Sequence, residues 1–143
     1  MLVLDTNVIC ELMRPKPDAS VVAWVGACPG GSLFTTTVTE AELRYGLALL
    51  PAGTRRQRLI DAFDHMMAED FVRRILPFDR SAARAYADIV VGRRLSGHPI
   101  AQFDAQIAAI ARSRDAGVVT RNERDFSDCG IDVINPWSLV PDP

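Results

Sequence analysis

Four acidic residues stand where a solvated surface carboxylate is not expected: Asp5, Glu42, Asp104 and Asp125. Asp5 and Asp125 each follow a short apolar run, whereas Glu42 and Asp104 fall in line with apolar residues on helical segments. Two carboxylates about 5 Å apart repel by about 3 kcal/mol at an effective dielectric near 20, so a cluster of them requires protonation or a cation. Oxygen ligands without a usable Cys or His cluster favour Mg²⁺ or Mn²⁺ over zinc. If the four acids meet in one pocket, they predict a divalent-metal site.

Magnesium held by carboxylates at the edge of a sheet is suited to the hydrolysis of phosphodiesters. The ion orients the phosphate, promotes deprotonation of water and stabilises the leaving oxygen. The sequence has no G-x-S-x-G nucleophile turn, no G-x-x-x-x-G-K phosphate loop and no G-x-G-x-x-G motif. Its two histidines, His65 and His98, fall in a helical stripe and in the turn SGHP. A metal-independent ribonuclease mechanism based on a histidine pair is therefore disfavoured.

Each of the four acids also has a purely structural interpretation. Asp5 could cap the helix that follows it, and Glu42 could close a capping box with Thr39. Asp104 could stabilise the first turn of its helix through the helix dipole, and Asp125 could be an ordinary loop acid. Taken singly, each residue leaves both interpretations open.

Short β-rich segments alternate with longer segments of helical period, which predicts an α/β fold built from parallel βαβ units. The predicted strands are LVL at 2–4, SLFT at 32–35, RILP at 74–77, GVVT at 117–120 and DVIN at 132–135. The predicted helices cover about 7–13, 18–27, 39–50, 54–70, 81–95 and 103–114, with N-caps at Asp18, Thr39, Thr54 and Ser81. The apolar stripe of 54–70 is interpreted as a core or partner face. Helices are expected on both faces of a small sheet.

Composition limits the function classes. The chain has 143 residues, of which 48% are apolar, and this suits one globular domain. A net charge of −2 excludes a strong overall basic field, so any contact with nucleic acid must be local. The apolar runs are too short to span a bilayer and the N-terminus does not resemble a leader, so we expect a cytoplasmic protein. The three widely spaced cysteines are expected to be reduced thiols.

Four motifs carry a family resemblance: LDTNVICELM at 4–13, TVTEAELRYG at 37–46, FDAQIAAIA at 103–111 and TRNERDF at 120–126. They occur in the order, and near the spacing, of the PIN-domain family, and over about residues 1–137 the chain resembles VapC-type toxins of the FitB-like, or plasmid-stability, branch. The resemblance implies a three-layer α/β/α fold with a five-stranded parallel sheet flanked by helices. It also implies a single domain over 1–137, followed by a short C-terminal tail over 138–143.

The activity implied by the resemblance is that of a Mg²⁺- or Mn²⁺-dependent endoribonuclease, the toxin of a toxin–antitoxin pair, which cleaves RNA phosphodiesters by metal-activated water. The residues that correspond to the family's catalytic and metal-binding acids are Asp5, Glu42, Asp104 and Asp125, with Thr6 and Asn122 as supporting polar groups. Glu40, beside Glu42, is a second candidate for the glutamate position.

The resemblance further implies an RNA substrate, a VapB-like antitoxin, a homodimer and a larger toxin–antitoxin assembly on operator DNA, with no membrane contact. A basic rim could meet the RNA, and its candidates are Arg44, Arg93, Arg94, Arg121 and Arg124. Each of these arginines could equally be an ordinary solvated side chain.

Two other classes of function compete with this interpretation. A non-catalytic PIN-like binding or scaffold domain would use the same acids for structural metal or for capping. An aspartyl-phosphate enzyme needs a lysine for the phosphoryl oxygens, and the only lysine, Lys16, follows the first predicted helix instead of a later strand. The position of Lys16 therefore disfavours an aspartyl-phosphate enzyme.

Overall fold

The computed structural model describes residues 1–139, in which short strands alternate with helices as predicted. The strands are β1 (Leu2–Leu4), β2 (Leu33–Thr36), β3 (Ile75–Leu76), β4 (Gly117–Val119) and β5 (Val133–Ile134). The helices are α1 (Thr6–Leu12), α2 (Ala19–Ala27), α3 (Thr37–Ala48), α4 (Thr54–His65), α5 (Arg80–Leu95) and α6 (Gln102–Arg112). A π-helical turn over Met66–Asp70 continues α4, and a 3₁₀ turn over Glu123–Phe126 follows β4. Of the predicted tail, residues 140–143 lie outside the described residues.

The five strands form one parallel sheet in the order β3-β2-β1-β4-β5. This arrangement confirms the predicted parallel α/β fold. The chain builds one half of the sheet outward from β1, then returns to place β4 on the other side of β1. Open α/β sheets bind ligands outside the carboxyl ends of their strands where the strand order reverses in this way.

The central strands β1 and β4 are buried on both faces. Val3 and Val118 pack in one apolar cluster with residues of α5 and α6, while Leu4 and Val119 pack in a second cluster with residues of α1, α2 and α4. Successive strand residues point to opposite faces, so the unbroken apolar runs serve two helical layers. The result is the predicted three-layer arrangement, which holds the carboxyl ends of the strands in fixed positions.

The helix caps differ in part from the sequence-based predictions. Asp18 caps α2 as predicted, but the N-cap of α3 is Thr36, whose Oγ1 accepts the Thr39 amide hydrogen bond at 3.0 Å. The predicted N-cap at Thr39 is therefore wrong, and the alternative in which Glu42 closes a capping box with Thr39 does not hold, because β2 passes directly into α3 and the helix starts earlier than its apolar pattern indicates. Likewise, α4 and α5 are capped at Gly53 and Asp79 and not at Thr54 and Ser81.

The helices and the cysteines of the described residues agree with two features of the sequence. Within residues 1–139, no helix has both the length and the apolar character that crossing a bilayer requires. Cys10, Cys28 and Cys129 are all unbridged thiols, as their spacing predicts.

Candidate functional site

Three of the four predicted acids line one cleft of about 450 Å³ at the carboxyl edge of the sheet. Asp5 directly follows β1, Glu42 comes from α3 and Asp104 comes from the first turn of α6. The two predicted supporting residues, Thr6 and Asn122, line the same cleft. The cleft thus joins residues from both halves of the sheet at the point where the strand order reverses.

Asp5 is a buried carboxylate, 5% exposed, with partners on both oxygens. Its Oδ1 accepts the Thr6 amide at 2.8 Å, and its Oδ2 accepts the Thr120 hydroxyl at 2.9 Å and the Asn7 amide at 3.2 Å. Burial raises the pKa of Asp5, the hydrogen bonds from Thr6 and Thr120 counteract that rise, and the charge of Asp125 adds to it. Asp5 is therefore both the N-cap of α1 and a residue of the cleft, so the structural interpretation and the functional interpretation of this acid are compatible.

Glu42 is held by a residue from the opposite wall of the cleft. The Thr6 hydroxyl donates to Glu42 Oε1 at 3.0 Å, and Thr6 Oγ1 lies 3.2 Å from Thr39 Oγ1. Burial raises the pKa of Glu42, the Thr6 hydrogen bond lowers it, and the charge of Asp5 raises it further. The Glu42 carboxylate therefore faces the other acids across the cleft.

Asp104 is the third residue of α6, whose N-cap, Ala101, makes no side-chain hydrogen bond. Its pKa rises from the ordinary 3.8 to about 6, first because of burial and then because of the charges of Asp5, Asp125 and Glu42, which outweigh the opposing charge of Arg93. An N-terminal helical position favours a negative charge, yet burial and the neighbouring acids outweigh that effect here.

Asp125 is exposed in the 3₁₀ turn after β4 and does not line the cleft with the other three acids. It lines a second cavity together with Arg93, His98 and Arg124. Its negative charge nevertheless raises the pKa of both Asp5 and Asp104. Direct contact of Asp125 with a metal ion therefore stays a prediction.

Arg93, one of the five candidates for the basic rim, is instead buried, only 6% exposed. Its Nε donates to the His98 carbonyl at 2.6 Å, and its Nη1 donates to the Ser127 carbonyl at 2.8 Å and to the Arg124 and Asp125 carbonyls at 3.3 Å each. Arg93 therefore ties the loop before α6 to the turn that carries Asp125. Its place in line with Ile89 on α5 is the signal that could have indicated burial.

The other four arginines predicted for the basic rim lie in different places. Arg44 pairs with Glu40 at 2.9 Å and with Asp64 at 2.8 Å, away from the acids that line the cleft. Arg94 and Arg124 are exposed, and Arg121 lines the cleft itself. Of the five arginines, only Arg121 thus lies in the cleft with the acids.

Five residues that line the cleft were not predicted as site residues from the sequence: Asn7, Cys10, Glu11, Arg14 and Trp137. Glu11 is buried and pairs with Arg14 at 3.1 Å, and its position one turn after Asn7 on α1 was a usable signal. Trp137 follows β5 at the same edge of the sheet, and its sequence context offered no comparable indication.

The three cleft acids fit a hard divalent cation by their chemistry. They are oxygen donors, the charge of Asp5 raises the pKa of Glu42, and the charges of Asp5 and Glu42 raise the pKa of Asp104, so a cation would remove that repulsion. Among residues 1–139, however, no three Asp, Glu, His or Cys side chains stand in a geometry that already holds an ion.

Asp104→Asn should stabilise the protein in the absence of divalent ions. The folded-state pKa of about 6 exceeds the unfolded value of 3.8. The contribution of Asp104 to the free energy of unfolding therefore falls as the pH rises from about 4 to 6, and above pH 6 the charged side chain destabilises the fold by a constant amount. The side chain is half-exposed, so solvent screening reduces the penalty to roughly 1 kcal/mol, or about 3 °C in Tm. Thermal melts in chelator from pH 4 to 8 measure it. A lower Tm at pH 7, or an unchanged pH slope, would contradict the assignment.

The fold and the cleft define an α/β protein with an acidic site at the carboxyl edge of a parallel sheet. The PIN domain family model matches residues 2–131, and the chain belongs to the PIN domain family. This membership confirms the resemblance carried by the four motifs.

Similar proteins cover nearly the whole chain. The VapC ribonuclease Y4jK of Sinorhizobium fredii is 42% identical over 96% of this chain and 98% of its own length. Toxin FitB of Neisseria gonorrhoeae is 39% identical over 96% of this chain and 99% of its own length. The structure of FitAB bound to an IR36 DNA fragment contains a chain of 38% identity that superposes with a TM-score of 0.92, covering 99% of both chains.

Proposed function

We propose that the protein is a Mg²⁺- or Mn²⁺-dependent endoribonuclease and the toxin of a toxin–antitoxin pair. The observation that carries the proposal is the convergence of Asp5, Glu42 and Asp104 on one cleft, where their charges act on one another. Similarity to a VapC ribonuclease and to Toxin FitB over almost the full chain supports the same activity. We assign the protein to the cytoplasm, where its RNA substrate is found.

In this proposal Asp5, Glu42 and Asp104 hold the divalent ion, and Asp125 completes the site when substrate is present. The bound ion would orient the phosphate, acidify water and stabilise the developing negative charge. Thr120 and the other hydrogen-bond donors to Asp5 fix its orientation.

Proton handling falls to the chain's own carboxylates. Glu42 is oriented by the Thr6 hydroxyl and has a raised pKa, so it suits the role of the base that takes a proton from the attacking water. Asp104, with a pKa of about 6, can change protonation state near neutral pH when no cation is bound. The site therefore offers Asp5, which hydrogen bonds hold on both oxygens, Glu42 as the base and Asp104 as a carboxylate that titrates near neutral pH.

We further propose that the protein forms a homodimer that binds a VapB-like antitoxin and that the complex assembles on operator DNA. The similarity to the chain in FitAB bound to a DNA fragment supports this part of the proposal, because the match covers 99% of both chains.

RNA cleavage with and without divalent ions tests the function. Purified protein free of antitoxin should cleave RNA in Mg²⁺, lose at least about tenfold of its rate in chelator and recover it when Mg²⁺ is restored in excess. Gel analysis of a defined RNA measures the rates. A non-catalytic scaffold would produce no metal-dependent cleavage, and that result would overturn the proposal.

A further inference from the structure

An arginine lies over a tryptophan ring in the cleft that holds the acids. The Arg121 guanidinium carbon lies 5.3 Å from the centroid of the Trp137 ring, and both side chains line the cleft that holds Asp5, Glu42 and Asp104. Arg121 is exposed, whereas Trp137 is half-buried and packs against the core cluster on its side of the sheet. The indole is thus a fixed support, and the guanidinium is the part that faces solvent.

The backbone of this pair is anchored to the acidic site. The Arg121 amide donates to Asn7 Oδ1 at 3.2 Å, and Asn7 Nδ2 donates to Asp5 Oδ2 at 3.2 Å. The Trp137 amide donates to Asn135 Oδ1 at 3.0 Å, just after β5. Two hydrogen bonds through Asn7 therefore connect the Arg121 backbone to Asp5, the most buried acid of the cleft, and fix the position of this backbone relative to Asp5.

Charge distinguishes Arg121 from the cleft's other arginine. Arg14 pairs with Glu11 at 3.1 Å, whereas Arg121 makes no ion pair with a carboxylate within residues 1–139. A chain with a net charge of −2 must attract a polyanion through local cations. Arg121 is the cation in this cleft that is available for an anionic ligand.

We propose that Arg121, supported by Trp137, forms a nucleotide-binding subsite for single-stranded RNA next to the scissile bond. The guanidinium binds a backbone phosphate, and the exposed side of Arg121 over Trp137 receives an unpaired base. This inference rests on the proposed ribonuclease function and specifies the form of RNA that the cleft accepts. A base within a duplex is already paired and stacked, so single-stranded segments are expected to bind this subsite.

Binding and kinetics of matched variants test the subsite. For a fluorescently labelled single-stranded oligoribonucleotide, Arg121→Gln should raise KM in Mg²⁺ about tenfold while kcat changes less than about threefold. Anisotropy titration in chelator at low salt should show a similar loss of affinity. Arg58→Gln removes an exposed arginine from α4 that lines neither the cleft nor the cavity of Asp125, and it should change both quantities less than about twofold.

Conservative variants separate stacking from charge. Arg121→Lys should recover only part of the affinity, because lysine retains the charge but has no planar face. Trp137→Leu should weaken binding severalfold and Trp137→Phe should restore most of it. Trp137→Leu combined with Arg121→Gln should be no worse than Arg121→Gln alone, because Trp137 acts through Arg121. Circular dichroism checks that each variant folds. If a Trp137 variant does not fold, the Arg121 variants still test the proposal, because Arg121 is exposed and its substitution does not disturb the core.

The possible results distinguish this inference from the proposed function. Metal-dependent cleavage with an unchanged KM in Arg121→Gln would overturn the subsite and leave the nuclease intact. Equal losses in Arg121→Gln and Arg58→Gln would also overturn it, because they would reflect general charge attraction. Arg121-dependent RNA binding without any cleavage in Mg²⁺ would support the subsite and overturn the nuclease.

Discussion

Asp5→Asn lowers the rate of RNA cleavage by about 10³-fold, because a metal ligand supports several kcal/mol of transition-state stabilisation and each 1.4 kcal/mol is about tenfold. Asparagine can still cap α1, because its amide oxygen can accept the Thr6 amide. Its amide nitrogen cannot accept the hydrogen bonds that Asp5 Oδ2 accepts from Thr120 and Asn7, so a thermal melt accompanies the rate measurement to check the fold. Initial rates on a defined RNA in Mg²⁺ measure the loss. Growth inhibition on induction in a bacterial host should disappear in parallel.

Asp18→Asn is the matched control for this substitution. Asp18 is also an N-cap, with Oδ1 accepting the Ser20 amide at 2.8 Å, but it does not line the cleft. We expect wild-type cleavage from Asp18→Asn. Comparable losses in the two variants would mean that capping, and not the acidic site, explains the effect of Asp5.

Glu42→Gln should reduce cleavage by about 10²- to 10³-fold, because glutamine cannot take a proton from water and is a weaker metal ligand. The Thr6 hydrogen bond can persist, since the glutamine side chain retains a carbonyl oxygen. Steady-state cleavage and growth inhibition measure the effect.

Glu40→Gln provides the control two residues away. Glu40 pairs with Arg44 at 2.9 Å and does not line the cleft, so its loss should change activity less than about twofold. Full inactivation by Glu40→Gln beside an active Glu42→Gln would show that the wrong glutamate has been assigned.

The strands and helices could be predicted because their signals are local. The unbroken apolar runs of β1 and β4 follow from burial on two faces, and the amphipathic period of α6 follows from burial on one. The helix starts were less predictable. Thr36 and Thr39 are both good N-caps, and the choice between them depends on where β2 ends.

The candidate site was predictable in its residue types and only partly in its arrangement. Asp5, Glu42 and Asp104 were identifiable because acids at a strand end or on an apolar stripe are unfavourable unless something compensates them. Asp125 satisfied the same sequence criterion, yet it is exposed and faces a second cavity. Its position depends on the turn held by Arg93, which local patterns do not specify.

The sequence by itself determined the alternation of strands and helices, the two-sided burial of the central strands and the acids expected at the carboxyl edge, because each of these depends on neighbours within one or two turns of chain. Only the tertiary structure decided that Thr6 orients Glu42, that Arg93 is buried among carbonyl groups and that Trp137 supports Arg121 in the cleft. These contacts join residues far apart in the chain, and their geometry depends on how the helices and loops pack around the sheet.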